Sequence, residues 1–558
     1  MTLFVERDMN KKLVVVIPAM DESDTIGGVL AEVNRLQPDE VVVVVNGATD
    51  ETADIAKDYG ATVIEYEERL GNDVGRAVGA IHSIDADIYL FTDADIAIEA
   101  EHLLPFITDI EDGAGMTLNA IDWVARHPSP DEPCIDRYLS NIIQGRLDLG
   151  LENLLTIPHA LSKKAIEEIG VESLANPQLA TCIAIEKKVK IRVSNDIDVL
   201  SVNKTRTDHR KKLFEVMPEA YQRIHGDTLE AFQYLIDEYG PRLHFPTHRK
   251  RVVTKETLED LRGQWQKHGT KGLAEVSFIV PISRHSTYLR HLLKALVKTH
   301  GEIIPIIYGN KTEKVVRVLE ELNLPYFISS QIRDYGTAFR LGAEVATKNT
   351  LVFHEAAIPV DIEELLMMAR RVMNKEADIA LNDQSDFAGK LEGMNALHMA
   401  NHFINITCKM NSFKTSALTI SPFVMTNEAL ETIGKDSLYN LCIAHIRATQ
   451  ANLRMQQVVK IDYLRRINPV TLEKVFNPEK ILGDILEGID YWNQMNGFRG
   501  GFTDGKRNRA VFEGIPRYYK TTLPDPSDLL TEEEAFYWLE GEKETNEVVF
   551  VKKRTSFS

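Results

Sequence analysis

The chain has 558 residues, a length that suggests roughly three or four domains of about 150 residues, or two larger ones. It is 44% hydrophobic and 26% charged, as an ordinary globular protein is. Its 64 Lys and Arg against 83 Asp and Glu leave a net charge of −19, which disfavours nucleic acid and anionic membranes as partners, so an anionic substrate needs a local metal or basic pocket.

The opening "MTLFVERDMNKK" lacks the basic-then-apolar layout of a signal peptide, and no apolar run approaches the roughly 20 residues that span a bilayer. A cytoplasmic protein is expected. "KKLVVVIPAMDES" then reads as a buried strand running into a loop. Val41–Val45 is continuous β-branched hydrophobe, the mark of a central parallel strand covered on both faces. "NGATDETADIA" reads as a turn into a helix with Thr49 or Asp50 as N-cap, followed by a third strand ending "VIEY". Another helix, "GRAVGAIHSI", leads to the strand "DIYLF" and then to "TDAD". Strands alternating with helices predict an α/β fold with a mostly parallel sheet. Such sheets bind ligands outside the carboxyl ends of their strands, where "MDES", "NGATD" and "TDAD" should meet. Asp93 and Asp95 are two residues apart on an extended segment, so they face the same way. Two hard oxygen donors there suit Mg²⁺ or Mn²⁺, with a substrate phosphate completing the shell.

The second half repeats the order of the first. Pro18 falls on Pro281 and Gly79 on Gly342, each 263 residues later. Phe91 falls on Phe353, and Gly170 on Gly434. "GDTLEA" returns as "GDILEG", and "YGPR" as "NGFR", which places Arg242 on Arg499. Matches in the same order at a nearly constant offset predict a duplicated domain. The expected organisation is a domain over 1–253, a helical linker over 254–272, a second domain over 273–510 and a C-terminal extension over 511–558. Cys134, Cys182, Cys408 and Cys442 form no CxxC pair and read as free buried thiols.

Together, "VVIPAMDES", "VVVVVNGATDETADIA", "GNDVGRAVGA" and "LFTDAD" resemble a family 2 glycosyltransferase with the GT-A fold. The resemblance covers about residues 12–250 and, more faintly, 275–510, which implies two tandem GT-A domains. It implies transfer of a sugar from a nucleotide-diphosphate donor, with a divalent cation bridging the DxD and the diphosphate. Carried over by position, Pro18, Ala19 and Glu22 line the nucleoside pocket. Asn46 stands where the family has a base-contacting aspartate, and Arg76 approaches the diphosphate. Asp93 meets the ribose or the metal, Asp95 binds the metal, and His209 is a candidate third metal ligand.

One departure concerns the base. Inverting members carry an acidic pair ahead of a later helix, whereas Ser173–Ile185 contains no carboxylate. No catalytic base is assigned, and inverting and retaining courses both stay open. In the second copy Glu22 becomes His285, Asp93 becomes Glu355 and Asp95 becomes Ala357. That copy is therefore expected to be degenerate, with acceptor placement, a homodimer interface or stabilisation of the first copy as its roles. The acceptor itself (carbohydrate, small metabolite or lipid-linked) is not encoded in these motifs. The competing readings are a nucleotidyltransferase, which would release pyrophosphate, and a non-catalytic sugar-nucleotide-binding scaffold.

Overall fold

The computed structural model describes residues 10–83, 85–121, 131–199, 201, 210, 217–246, 255–270, 272, 274–284, 286–309, 313–389, 391, 394–467, 475–513 and 548–552. It is an α/β structure of two mixed, mostly parallel sheets flanked by helices. The chain divides into two compact units. The first takes Met1–Glu238 with Lys390–Glu392 and Asn496–Leu529; the second takes Tyr239–Gly389, Gly393–Met495 and Leu530–Ser558.

The first unit holds β1 (Leu13–Ala19), β2 (Glu40–Asn46), β3 (Thr62–Tyr66), β4 (Ile88–Phe91), β5 (Met116–Leu118), β6 (His159–Ser162) and β7 (Ile191–Val193). Their order is β3-β2-β1-β4-β6-β5-β7. β1 runs parallel to β2 and β4, β2 to β3, and β5 to β7; β6 runs antiparallel to both β4 and β5. Alternation explains the all-apolar strands. Val15, Ile17, Val43 and Val45 share one core with Ile26, Val29, Leu30 and Val33 of the helix Ile26–Arg35. Val16, Pro18 and Val44 face the other way, against the helix Val74–His82. That helix lies close: a Cβ on Gly79 would overlap Val16, and one on Gly75 would lie 2.9 Å from the Pro18 Cβ. The helix Thr52–Asp58 starts later than expected, with Glu51 in the cap position. Asp50 still serves it, its Oδ1 accepting from the Thr52 N–H at 3.0 Å, whereas Thr49 bonds elsewhere.

The second unit holds β8 (Val276–Ile282), β9 (Glu302–Tyr308), β10 (Tyr326–Ser329), β11 (Thr350–Phe353), β12 (Ile379–Asn382), β13 (Phe423–Thr426), β14 (Met455–Val459) and β15 (Val549–Val551). Read from β10 to β14, its sheet has the same order as the first, with β13 antiparallel where β6 is. Gly342 repeats the role of Gly79, because a Cβ there would overlap Ile279. The helix Lys255–His268, read from sequence as a linker, belongs to this unit. Its Leu261 and Trp265 are buried in the core, and the Trp265 indole donates to Glu302 at 2.8 Å. The far end of the extension adds β15 antiparallel to β10, with Phe550 against Trp265 and Phe327. All four cysteines are free and buried. No helix among the described residues is long and apolar enough to cross a membrane.

Candidate functional site

β1, β2 and β4 are parallel neighbours, so the loops that follow them emerge on one edge of the first sheet. Short polar links hold these loops together. Asp21 Oδ1 accepts from the Thr49 N–H at 2.7 Å, and Asp50 Oδ2 accepts from the Ser23 N–H at 3.0 Å. The Glu22 N–H donates to Thr52 Oγ1 at 2.9 Å. Thr25 then ties this loop to the third, its hydroxyl donating to the Ala94 carbonyl at 3.0 Å. Ala94 is the residue between Asp93 and Asp95. The hydrogen bonds from Thr52 and Ser23 outweigh partial burial and lower the Asp50 pKa to about 2.

A chain of charges crosses this edge. Arg76, on the first turn of Val74–His82, donates to Asp93 Oδ1 at 3.2 Å and to Asp73 Oδ1 at 2.9 Å. Asp73 has φ +66° and its side chain is nearly buried. Arg507 donates to Asp73 Oδ2 at 2.8 Å and to the Asn72 carbonyl at 3.0 Å. The same guanidinium grips both Asp227 oxygens, at 2.6 and 2.8 Å. Burial disfavours the Asp73 anion, yet Arg76 and Arg507 hold its carboxyl below the ordinary range. The balance differs at Asp93. Burial pushes its carboxyl up, Arg76 opposes this, and nearby Asp95 pushes it up again. Asp93 remains one-third exposed and Asp95 is part-exposed.

Of the residues singled out from sequence, Pro18, Ala19, Glu22, Arg76, Asp93 and Asp95 lie on or directly beneath this edge. Asn46 is there too, but its amide is engaged. Its oxygen accepts from the Leu70 N–H, and its nitrogen donates to the Gly71 carbonyl at 3.4 Å. His209 lies outside the described residues, as does His285. Ser173–Ile185 packs as a buried turn and helix. There Asn176 caps Leu179 at 3.1 Å, and Gln178 donates to Thr228 at 3.2 Å. Sequence reasoning missed Asp73, Asp227 and Arg507. The trace they left was the repeated "GDxLE", which holds Asp227.

The matching edge of the second unit carries different chemistry. Glu355, where Asp93 would be, is fully buried. Its carboxyl accepts from Ser283 at 3.1 Å, Tyr308 at 2.9 Å and the Ala357 N–H at 3.2 Å. Burial, only partly offset by these bonds, lifts its pKa to about 7. This carboxyl is thus engaged by two hydroxyls and a backbone N–H, and Ala357 stands two residues on, where Asp95 follows Asp93 in the first unit.

Residues 14–170 match the sequence model of the family described as Glycosyl transferase family 2. A 4,4'-diaponeurosporenoate glycosyltransferase of Staphylococcus aureus (strain bovine RF122 / ET3-1) is 37% identical over 93 residues, 16% of this chain and 24% of that protein. A dolichyl-phosphate hexose transferase of Haloferax volcanii is 37% identical over 103 residues, 18% of this chain and 44% of that protein. The chain thus spans less than half the length of either relative. A solved glucosyl-3-phosphoglycerate synthase of Mycobacterium tuberculosis, in complex with Mn2+, uridine-diphosphate and glucosyl-3-phosphoglycerate, aligns at 18% identity with a TM-score of 0.31, covering 40% of this chain and 80% of that one.

Proposed function

We propose that the first unit, which carries a family 2 glycosyltransferase domain over residues 14–170, is a metal-dependent glycosyltransferase that moves a sugar from a nucleotide-diphosphate donor to an acceptor. The observation that carries this reading is the Asp73–Arg76–Asp93 array beside Asp95 at the carboxyl edge of parallel strands. A buried arginine stands beside Asp93, and the nearby Asp95 charge acts against ionisation of Asp93.

The residues present fit Mg²⁺ or Mn²⁺. No cluster of three or more His, Cys, Asp or Glu suited to a metal occurs among the described residues. A divalent ion of this class needs only one or two carboxylates when a diphosphate supplies further oxygens. The repulsion that Asp95 exerts on Asp93 is what such an ion would relieve. Asp95 would hold it, with Asp93 beside it. When bound, the ion neutralises charge that builds on the leaving diphosphate. Arg76 contributes a fixed cation to that diphosphate at no reorganisation cost, because Asp73 and Asp93 hold its guanidinium in place. Glu22, Pro18 and Ala19 would shape the nucleoside end. Asn46 would act by fixing the Leu70–Gly71 turn beside that pocket, since both ends of its amide are already engaged.

The second unit, on this reading, is a degenerate copy of the same domain. The test is product analysis with a panel of sugar nucleotides and Mn²⁺. Release of nucleoside diphosphate supports the proposal. Release of pyrophosphate would mark a nucleotidyltransferase, and binding without turnover on any acceptor would mark a scaffold.

A further inference from the structure

The segment 497–512 follows the last helix of the second unit, Pro478–Asn496, yet it lies in the first unit. Two clasps hold it there. Arg499 donates to Asp227 at 2.7 Å and to Glu230 at 2.8 Å, both on the helix Glu219–Tyr239. Arg509 donates to both Glu230 oxygens at 2.6 and 2.9 Å. Gly226 makes room, since a Cβ there would lie 2.7 Å from the Arg499 guanidinium. The second unit has the mirror arrangement. Arg242, in the segment that follows the first unit's last helix, donates to Asp484 at 2.8 Å and reaches Glu487 at 3.1 Å, and Gly483 makes room for it. The paired "GDxLE" and "GxR" motifs are thus exchanged: each arginine serves the helix of the other copy.

Arg507 goes further than a clasp. Its side chain is fully buried, and it is the cation on the far side of Asp73 from Arg76. The Asn508 N–H donates to the Leu70 carbonyl at 2.8 Å, fastening the same turn that Asn46 holds. Building on the glycosyltransferase reading above, we propose that Arg507 is a positioning residue of the donor site. It acts through Asp73 and Arg76 on Asp93, so the site of the first unit is completed by a residue encoded 434 positions after Asp73. Charge balance along this row sets where Arg76 points its donors. With Arg507 in place, Asp73 accepts hydrogen bonds from two cations, and Arg76 can divide its donors between Asp73 and Asp93. Without it, Asp73 becomes an underpaid anion and draws Arg76 away from Asp93 and from the diphosphate.

The experiment is calorimetric titration of the full-length chain with a panel of nucleoside diphosphates in Mn²⁺, with melting temperature recorded alongside. Arg507→Met should weaken nucleoside-diphosphate–Mn²⁺ binding at least tenfold. Arg507→Lys, which keeps the charge and folds more readily, should weaken it severalfold. Arg509→Met, on the same segment but bonded to Glu230 and Asp504 rather than to Asp73 among the described residues, should lower the melting temperature without moving that affinity. Asp73→Asn added to Arg507→Met should recover part of the loss, because it removes the anion that Arg507 balances. If the wild type binds while Arg507→Met and Arg507→Lys bind equally well, or if Arg509→Met weakens binding as much, the positioning role is overturned and the function stands. A wild-type chain that binds no nucleoside diphosphate with Mn²⁺ overturns the functional reading and this role with it.

Discussion

Two carboxyl groups at matching positions, Asp93 and Glu355, illustrate how environment sets role. Asp93 is part-exposed and shares its charge with Arg76. Glu355 is enclosed, and burial favours its protonated form against the opposing pull of its hydroxyl donors. The proposed metal role predicts that Asp95→Ala leaves the fold intact but abolishes metal-dependent donor binding, a loss of several kcal/mol of charge stabilisation. Unchanged turnover by that variant at limiting Mn²⁺ would remove the metal from Asp95. Glu355 yields a pH prediction with a definite sign. Its folded pKa of about 7 exceeds the ordinary 4.5, so the folded state binds the proton more tightly than the unfolded state. Stability is therefore lost as pH rises between those values, by about 3 kcal/mol in full. Glu355→Gln keeps the shape of the protonated acid and should flatten that dependence, raising the melting temperature at pH 8 more than at pH 5. Equal shifts at both pH values would contradict the buried-acid account.

At the scale of elements, the strands were the most legible part of the sequence. β1, β2 and β4 follow directly from their apolar runs, and the helix Val74–His82 falls within a residue or two of the stretch read as helical. The glycines at matching positions have a packing cause, because Gly79 and Gly342 each let a helix settle on the first strand of its sheet. Gly342→Ala should therefore cost about 1–3 kcal/mol of stability in the second unit. It should do so in chemical denaturation without altering donor affinity, whereas an affinity change would tie that helix to the site. The retained "GDxLE" and "GxR" motifs were legible as repeats, but their partnership was not. Each acidic pair meets an arginine more than 200 residues away, and nothing local in either motif names its mate. Arg507 was illegible for the same reason, since "DGKRNR" reads as a solvated basic stretch until docking buries it. Asn46 shows a further contact that the sequence does not announce. It stands at a base-contacting position, but backbone groups of the neighbouring turn already occupy its amide.

For the whole molecule, the two sheets repeat one strand order, while the chemistry at their carboxyl edges does not repeat. The repeat offset placed the first domain at residues 1–253. The structure groups Asn496–Leu529 with the first unit as well. Residues 1–260 expressed alone would leave Asp227 and Glu230 without the arginines that meet them and Asp73 without Arg507, and this piece should be unstable and bind no donor. Stable, full activity of that fragment would show that the exchanged segment is dispensable. The central claim is that one of two similar sheets carries a working, metal-dependent donor site. Its most direct test is the calorimetric stoichiometry of a nucleotide-diphosphate sugar and Mn²⁺ on the full-length chain, compared with Asp95→Ala and Glu355→Gln. The account predicts one site per chain, lost in Asp95→Ala and kept in Glu355→Gln. Two sites per chain, or binding that survives Asp95→Ala, would contradict it.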